Sequence, residues 1–262
     1  MTTVKKSVNA RSAAADTTAF HFTTDLFAKT VFNDKFEAFA KDMGFDNLNV
    51  DLILGLPNVT KSLLKKDIRN ILSLDVNHIS CYSLTVHENT VFGINGIEEP
   101  NSDFARDMYD MVNEELNKKG FTHYEISNWA KEDKTSLHNM TYWKDEEYYG
   151  VGLGASGYLG KYRYTNTKSI NAYLDGKYIQ EKEFVSIDED KEYYIMLNLR
   201  TINGINYQKY YEKFQEEFKA KHSSTISRLV NEGLLQESEE GIKPTYEGMM
   251  VLDTMILDLI SD

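Results

Sequence analysis

The sequence predicts an α/β chain that passes into an α+β region closed by a winged-helix-like unit. Two observations carry the first half of that statement. Apolar runs of strand length stand at LNVDLIL and HISCYSL, and a helical pattern of apolar residues lies between them. Strand, helix, strand at this spacing is a βαβ unit, whose crossover favours parallel neighbours. The second half rests on the tail, where a helix, two short strands and a further helix follow in order from Ser223.

In chain order, residues 1–34 are expected to be a disordered or vestigial leader. Residues 1–24 are rich in Ser, Thr and Ala, set Lys5, Lys6 and Arg11 against Asp16 alone, and lack the apolar stretch of a secretory signal. A basic, acid-poor leader is also what a transit peptide looks like, so the expected location is cytoplasmic, or organellar if 1–24 is such a peptide. In DKFEAFAKDMG, Phe36, Phe39, Ala40 and Met43 fall at helical spacing, with Gly44 as the stop. The run from Leu48, ended by Gly55 and Pro57, reads as a buried strand. Thr60 is placed to cap a helix reaching Leu74, with Leu63, Leu64, Ile68, Ile71 and Leu72 inward. A strand over His78–Leu84, a helix over 102–119 and a strand over 121–127 extend the alternation. After Trp143 the texture turns to Gly and Tyr, and a loop-rich segment is expected. Helices are expected at 168–175, 188–201, 206–220 and 223–231, strands at LLQES and IKPT, and a final helix at 246–260 capped by Thr245. The expected domains are the leader, 35–135, and 136–262, winged-helix-like from 223.

Composition limits the function. With 29 Lys+Arg against 41 Asp+Glu, the formal charge is −12. Nucleic acids and anionic membranes are held by clustered cations, so neither is an expected partner. No apolar run approaches the ~20 residues that cross a bilayer, so no integral span is expected. The single cysteine, Cys81, excludes an intrachain disulfide framework and any zinc or iron–sulfur site built from several cysteines of this chain.

Few residues could carry chemistry. Asp51 places a carboxylate inside an apolar strand, where it must be paired or lie near a ligand. It reads equally as a ligand-binding group and as a satisfied structural acid. HNMTYW (138–143) offers the His138 imidazole as a metal ligand, Tyr142 on the same face at i+4 if helical, and Trp143 to cover a flat ring. Taken alone it reads better as a turn followed by an aromatic core plug. GVGLGASG (150–157) lacks the strand and helix that a dinucleotide fingerprint requires, and reads as a close-packing loop. The tail helix SSTISRLVN holds Arg228 as its one cation, and Glu237, Glu239 and Glu240 would repel phosphate, so it reads as structural. Cys81 reads as an inert buried thiol and Glu125 as a buried acid without an assignable partner.

Together NVDLILGLPNVT, HISCYSLTVHENTVF, HYEISNWA, HNMTYW, YYGVGLGAS and LNLRTINGI resemble, in order and spacing, the radical SAM proteins related to oxygen-independent coproporphyrinogen oxidase, over residues 35–262. HNxxYW marks the heme-chaperone branch of that family. The resemblance implies the C-terminal part of a partial (β/α)6 radical SAM barrel over 35–135, followed by the family's C-terminal domain. It implies that His138 associates with heme and is its metal ligand, that Tyr142 and Trp143 share the site, and that Asp51 and Ser83 (from the Tyr82–Ser83 pair) contact SAM. The family's CxxxCxxC motif for a [4Fe–4S] cluster and its glycine-rich SAM strand have no counterpart in this sequence. The chain therefore looks like a fragment, a split subunit or the product of a disrupted gene, and this chain alone cannot bind the cluster. The expected function is heme binding and delivery to a heme-accepting protein, without radical catalysis on its own. The alternatives are one half of a split radical SAM oxidoreductase, partnered by the missing N-terminal half, and a non-catalytic interaction module. An open sheet edge is also expected to favour homo-oligomers.

Overall fold

A computed structural model describes residues 20–23, 38–132 and 134–262. They divide into two compact units, one up to Thr135 and one from Ser136. Of the expected leader, only the backbone of Phe20–Thr23 is described. It forms strand β1, parallel to the next strand, where an unstructured leader was expected. The rest of that expectation lies outside the described residues.

In the first unit, β2 (Leu48–Leu54) and β3 (His78–Ser83) pair in parallel, with Asp51 opposite Ser80 and Leu54 opposite Ser83. Helix α1 (Lys61–Leu72) connects them, and Thr60 caps it by accepting a hydrogen bond from the Leu63 N–H at 3.3 Å. Helix α2 (Val91–Ile94) is a single turn. Helix α3 (Ser102–Asn117) is capped by Asn101, which accepts from the Phe104 N–H at 2.8 Å. The β2 run is not apolar throughout but alternates. Leu48, Val50, Leu52 and Leu54 are buried with Ile79 and Cys81 of β3 against Leu64, Ile68 and Ile71 of α1 and Met108, Val112 and Leu116 of α3. Leu63, expected inward, is exposed, because the buried stripe of α1 is the i, i+4, i+7 set 64, 68, 71.

The expected single strand at 121–127 is instead a hairpin of β4 (Thr122–Glu125) and β5 (Asn128–Ala130). β5 inserts antiparallel between β3 and β4, giving the sheet order β1-β2-β3-β5-β4. Its anchor is Trp129, fully buried, with its indole N–H donating to Asn113 Oδ1 at 3.0 Å.

The second unit opens with α4 (Leu137–Trp143). The segment expected to be loop-rich holds an antiparallel sheet of β6 (Ser156–Leu159), β7 (Tyr162–Asn166) and β8 (Ile179–Phe184), with α5 (Ile170–Leu174) between the last two. GVGLGASG thus leads into a strand. Helix α6 (Ile187–Asn198) starts on a capping box made by Ser186 and Glu189. β9 (Ile205–Asn206), α7 (Tyr207–Phe214), α8 (Phe218–Lys221) and α9 (Ser223–Asn231) follow, then the strands β10 (Leu235–Glu237) and β11 (Gly241–Pro244). β11 lies between β10 and β9 in an antiparallel sheet. The expected final helix is two, α10 (Tyr246–Met250) and α11 (Leu252–Ile260), broken where Val251 takes φ −121°. Tyr210, Phe218, Leu199, Ile226, Leu229 and Leu259 fill the core of this unit.

Candidate functional site

The expected site residues fall into two groups, one in each unit. In the first, the β2 and β3 side chains turned away from the helices form a polar row. The Tyr124 hydroxyl lies 2.7 Å from His78 Nε2, and His78 Nδ1 lies 2.6 Å from Asn49 Oδ1. The Asn49 amide nitrogen donates to Asp51 Oδ1 at 2.7 Å and to Ser80 Oγ at 3.1 Å. An amide that donates to Asp51 turns its oxygen to His78, so the His78 proton sits on Nδ1 and Nε2 accepts from Tyr124. Every bond in this chain runs the same way and ends on the Asp51 carboxylate. Asn49, His78 and Tyr124 are buried and Asp51 is half-buried.

Glu125, wholly buried, closes the far side of the row. It accepts from the Ser127 N–H at 3.2 Å and from the amide of Asn128, the residue opposite Ser80. Tyr82 shares this face. Burial pushes its hydroxyl above the usual value, and the charges of Asp51 and Glu125 push the same way. Ser83, expected with Asp51 to contact SAM, is exposed at the end of β3 and pairs with Leu54, so by strand alternation it falls on the face away from Asp51, whereas Ser80, opposite Asp51, and Tyr82 share Asp51's face. Burial drives the Cys81 thiol far above its ordinary value, which leaves it protonated and inert.

In the second unit, Ser136 caps α4 by accepting from the Asn139 N–H at 3.3 Å. The helix puts His138 and Tyr142 on one face, with the phenol oxygen 3.2 Å from His138 Nε2 and the rings edge to face at 4.7 Å. Tyr148 continues the ladder, its ring 4.6 Å from that of Tyr142. His138 is exposed, while Tyr142 and Trp143 are half-buried. Trp143 Nε1 is buried without a hydrogen-bond partner among the described residues, an orphaned donor within the motif.

Sequence reasoning missed the clamp that fixes the end of α4. Asp145, with its side chain 1% exposed, bonds Arg163 and Lys213, each at 2.9 Å. Lys213 also bonds Asp190 at 2.7 Å. The Arg163 guanidinium lies over the Tyr158 and Tyr193 rings at 4.5 and 4.0 Å. Burial holds the Asp145 carboxyl above its usual range in spite of both cations. A cluster drawn from β7, α6, α7 and the turn after α4 has no signature of spacing in the sequence.

These residues fit some groups and not others. Heme iron takes one or two ligands, often His or Tyr, and the ring packs on aromatic faces, so His138, Tyr142 and Tyr148 suit it. No three His, Cys, Asp or Glu side chains gather into a metal site among the described residues. A [4Fe–4S] cluster is held by thiolates, and the one thiol here is buried and protonated, so these residues do not fit it. Asp51 presents a carboxylate suited to a ribose hydroxyl or an ammonium group. No helix among the described residues is long and apolar enough to cross a membrane.

Residues 192–251 match the model of the HemN C-terminal domain. The chain is 35% identical to the heme chaperone HemW of Lactococcus lactis subsp. lactis, over 84% of this chain and 61% of that protein. It is also 35% identical to HemW of Bacillus subtilis, over 83% of this chain and 60% of that protein. Radical S-adenosyl methionine domain-containing protein 1, mitochondrial, of Bos taurus is 29% identical over 82% and 53%. The chain thus spans less than two thirds of the length of these relatives. The structure of coproporphyrinogen III oxidase (HemN) from Escherichia coli, a radical SAM enzyme, superposes with a TM-score of 0.78 at 16% identity. It covers 93% of this chain and 64% of that one, so the two share a fold. The chain is thus similar along most of its length to the heme chaperones HemW, matches the HemN C-terminal domain over residues 192–251, and shares its fold with HemN.

Proposed function

We propose that this chain binds heme through the α4 face and passes it to a protein acceptor. The observation that supports this reading most is the exposed His138 imidazole, stacked edge-on against Tyr142, which is in turn backed by Tyr148. An exposed imidazole can reach iron without unfolding its surroundings, and the two phenol rings offer a flat apolar ligand a surface. His138 is the proposed iron ligand, with Tyr142 and Trp143 lining the site. Delivery to an acceptor asks for an accessible, exchangeable ligand, and a surface imidazole is one. Titration of the purified chain with hemin is expected to give a Soret band that His138→Ala removes. If the wild type binds no more hemin than an unrelated protein of similar charge, the reading is wrong.

A second reading is favoured by the polar row of the first unit. The hydrogen-bond chain from Tyr124 to Asp51 holds a carboxylate ready for the ribose or ammonium group of SAM, as one half of a radical SAM oxidoreductase would require. The cluster would then come from another chain. Calorimetric titration with SAM, lost in Asp51→Ala, tests the binding part of this reading. A separate chain carrying CxxxCxxC and forming a stable complex with this one tests the rest.

A further inference from the structure

The loop between Tyr148 and β6 displays apolar side chains on a tethered backbone. Its residues alternate glycine with apolar side chains: Tyr149, Gly150, Val151, Gly152, Leu153, Gly154. Tyr149 is 77% exposed, Val151 83% and Leu153 46%, so three apolar side chains stand in water along one short segment. A mobile loop would fold such groups inward, yet this loop is held. The amide of Asn166, itself buried, donates to the Gly150 carbonyl at 3.0 Å and to the Gly152 carbonyl at 2.9 Å. The Gly150 N–H donates to the Tyr164 hydroxyl at 2.9 Å, and the Gly154 N–H to the Thr167 carbonyl at 3.0 Å.

The glycines make that clamping feasible. A Cβ at Gly150 would strike the Ser156 carbonyl, and Gly152 and Gly154 take φ of 106° and 65°. Clamping the backbone against the sheet leaves the intervening side chains no inward direction. The loop also leaves directly from Tyr148, the last ring of the His138–Tyr142–Tyr148 ladder. Beside Gly154 lies Lys168, exposed and without a salt bridge among the described residues. Three rigidly displayed apolar groups, continuous with a stack of rings and flanked by one cation, match a flat apolar macrocycle with carboxylate substituents.

We infer that the clamped loop 149–154 is a second wall of the heme site, with Tyr149, Val151 and Leu153 contacting the porphyrin plane and Lys168 pairing with a propionate. The inference rests on the heme reading and adds residues to it. It differs from that reading in one consequence: the wall recognises the macrocycle, so its effect does not depend on iron.

The test uses the full chain, titrated with hemin and with metal-free protoporphyrin IX, followed by absorbance and by porphyrin fluorescence. Val151→Ser and Leu153→Ser remove exposed groups and leave the fold intact. Each is expected to weaken both ligands about tenfold, the effect of losing one apolar side-chain contact. His138→Ala is expected to weaken hemin far more than protoporphyrin IX. Lys168→Gln is expected to weaken free-acid porphyrin and to leave its dimethyl ester unchanged. Leu257→Ser, which removes an apolar group 64% exposed on α11, serves as the control and should change nothing. If the wild type binds hemin and the loop variants bind both ligands as well as it does, the wall is overturned while the heme reading stands. Equal weakening by Leu257→Ser would show unselective adsorption and also overturn it. If the wild type binds neither ligand, both readings fall together.

Discussion

His123 makes the stability of the first unit depend on pH in a way that can be worked out in advance. Its ring stacks on Trp129 at 4.3 Å and 16°, and burial pushes its pKa down from 6.5 to about 4. The imidazole lies 2.9 Å from the Tyr109 hydroxyl, which donates to the Ile126 carbonyl at 2.5 Å, and it also hydrogen-bonds the backbone at Ile126 and Glu125. The folded state keeps His123 neutral, while the unfolded chain takes up a proton below pH 6.5. Stability is therefore lost as pH falls from 6.5 toward 4 and levels off below that. The loss is about 3 kcal/mol over the whole window and about 2 kcal/mol by pH 5. His123→Phe keeps the stacked ring and deletes the titration. It loses the hydrogen bonds of the imidazole, to Tyr109 and to the backbone at Ile126 and Glu125, at about 1 kcal/mol for each bond, but Tyr109 keeps its carbonyl acceptor. Urea denaturation at pH 7 and pH 5, followed by tryptophan fluorescence, should then show the advantage of the wild type at pH 7 shrink by about 2 kcal/mol at pH 5. Carboxylates titrating in the same range cancel in the difference between the two proteins. A wild-type-minus-variant difference that is the same at both pH values refutes the reasoning.

The other expectations are more local. Asp145→Ala leaves Arg163 and Lys213 with one anion between them. It should lower the stability of the second unit by roughly 1–3 kcal/mol, softened because both cations are partly wet, as a thermal melt would show. The same variant should weaken hemin binding, because the clamp fixes the chain just after Trp143, and Asp145→Glu should recover part of that loss. Gly150→Ala drives a methyl group into the Ser156 carbonyl and should destabilise by about 1–3 kcal/mol in urea. Asp51→Ala should abolish SAM binding and spare hemin, and His138→Ala the reverse, since each ligand is assigned to one unit. Calorimetry with both ligands on both variants checks this, and a single substitution that removes both would show that the assignment is not local.

The parts of the fold that were legible are those whose burial is periodic. In α1 and α3 the apolar stripe repeats at helical spacing, and in β2 and β3 the aliphatic content signals a covered face. The parts that were not legible lack an apolar period. Every residue of β8 (IQEKEF) is exposed, so nothing in its sequence separates it from a loop. The strand β5 is only three residues long, and its place between β3 and β4 is decided by Trp129 reaching the core, a tertiary fact. The break at Val251 falls between two apolar helical stretches, both of which fit one continuous period.

The candidate site divides along the same line. His138 and Tyr142 were readable as a pair because four residues along a helix is a local distance. Asp51 was readable as an anomaly because a carboxylate in an aliphatic strand needs a reason. What gives each of them its setting is not local. Asn49, His78 and Tyr124 become one hydrogen-bond chain only when three strands are set in register, and a shift of one residue in β3 would turn His78 into the helical core. Asp145, Asp190, Arg163 and Lys213 meet from four separate segments. Tyr148 reaches Tyr142 because its backbone is bridged to Tyr158. The residues proposed to touch a ligand were therefore nameable from the sequence, and the groups that hold them in place came only with the structure. That asymmetry follows from the physics: a reactive side chain is conspicuous by its type, whereas a positioning side chain is defined only by what it faces.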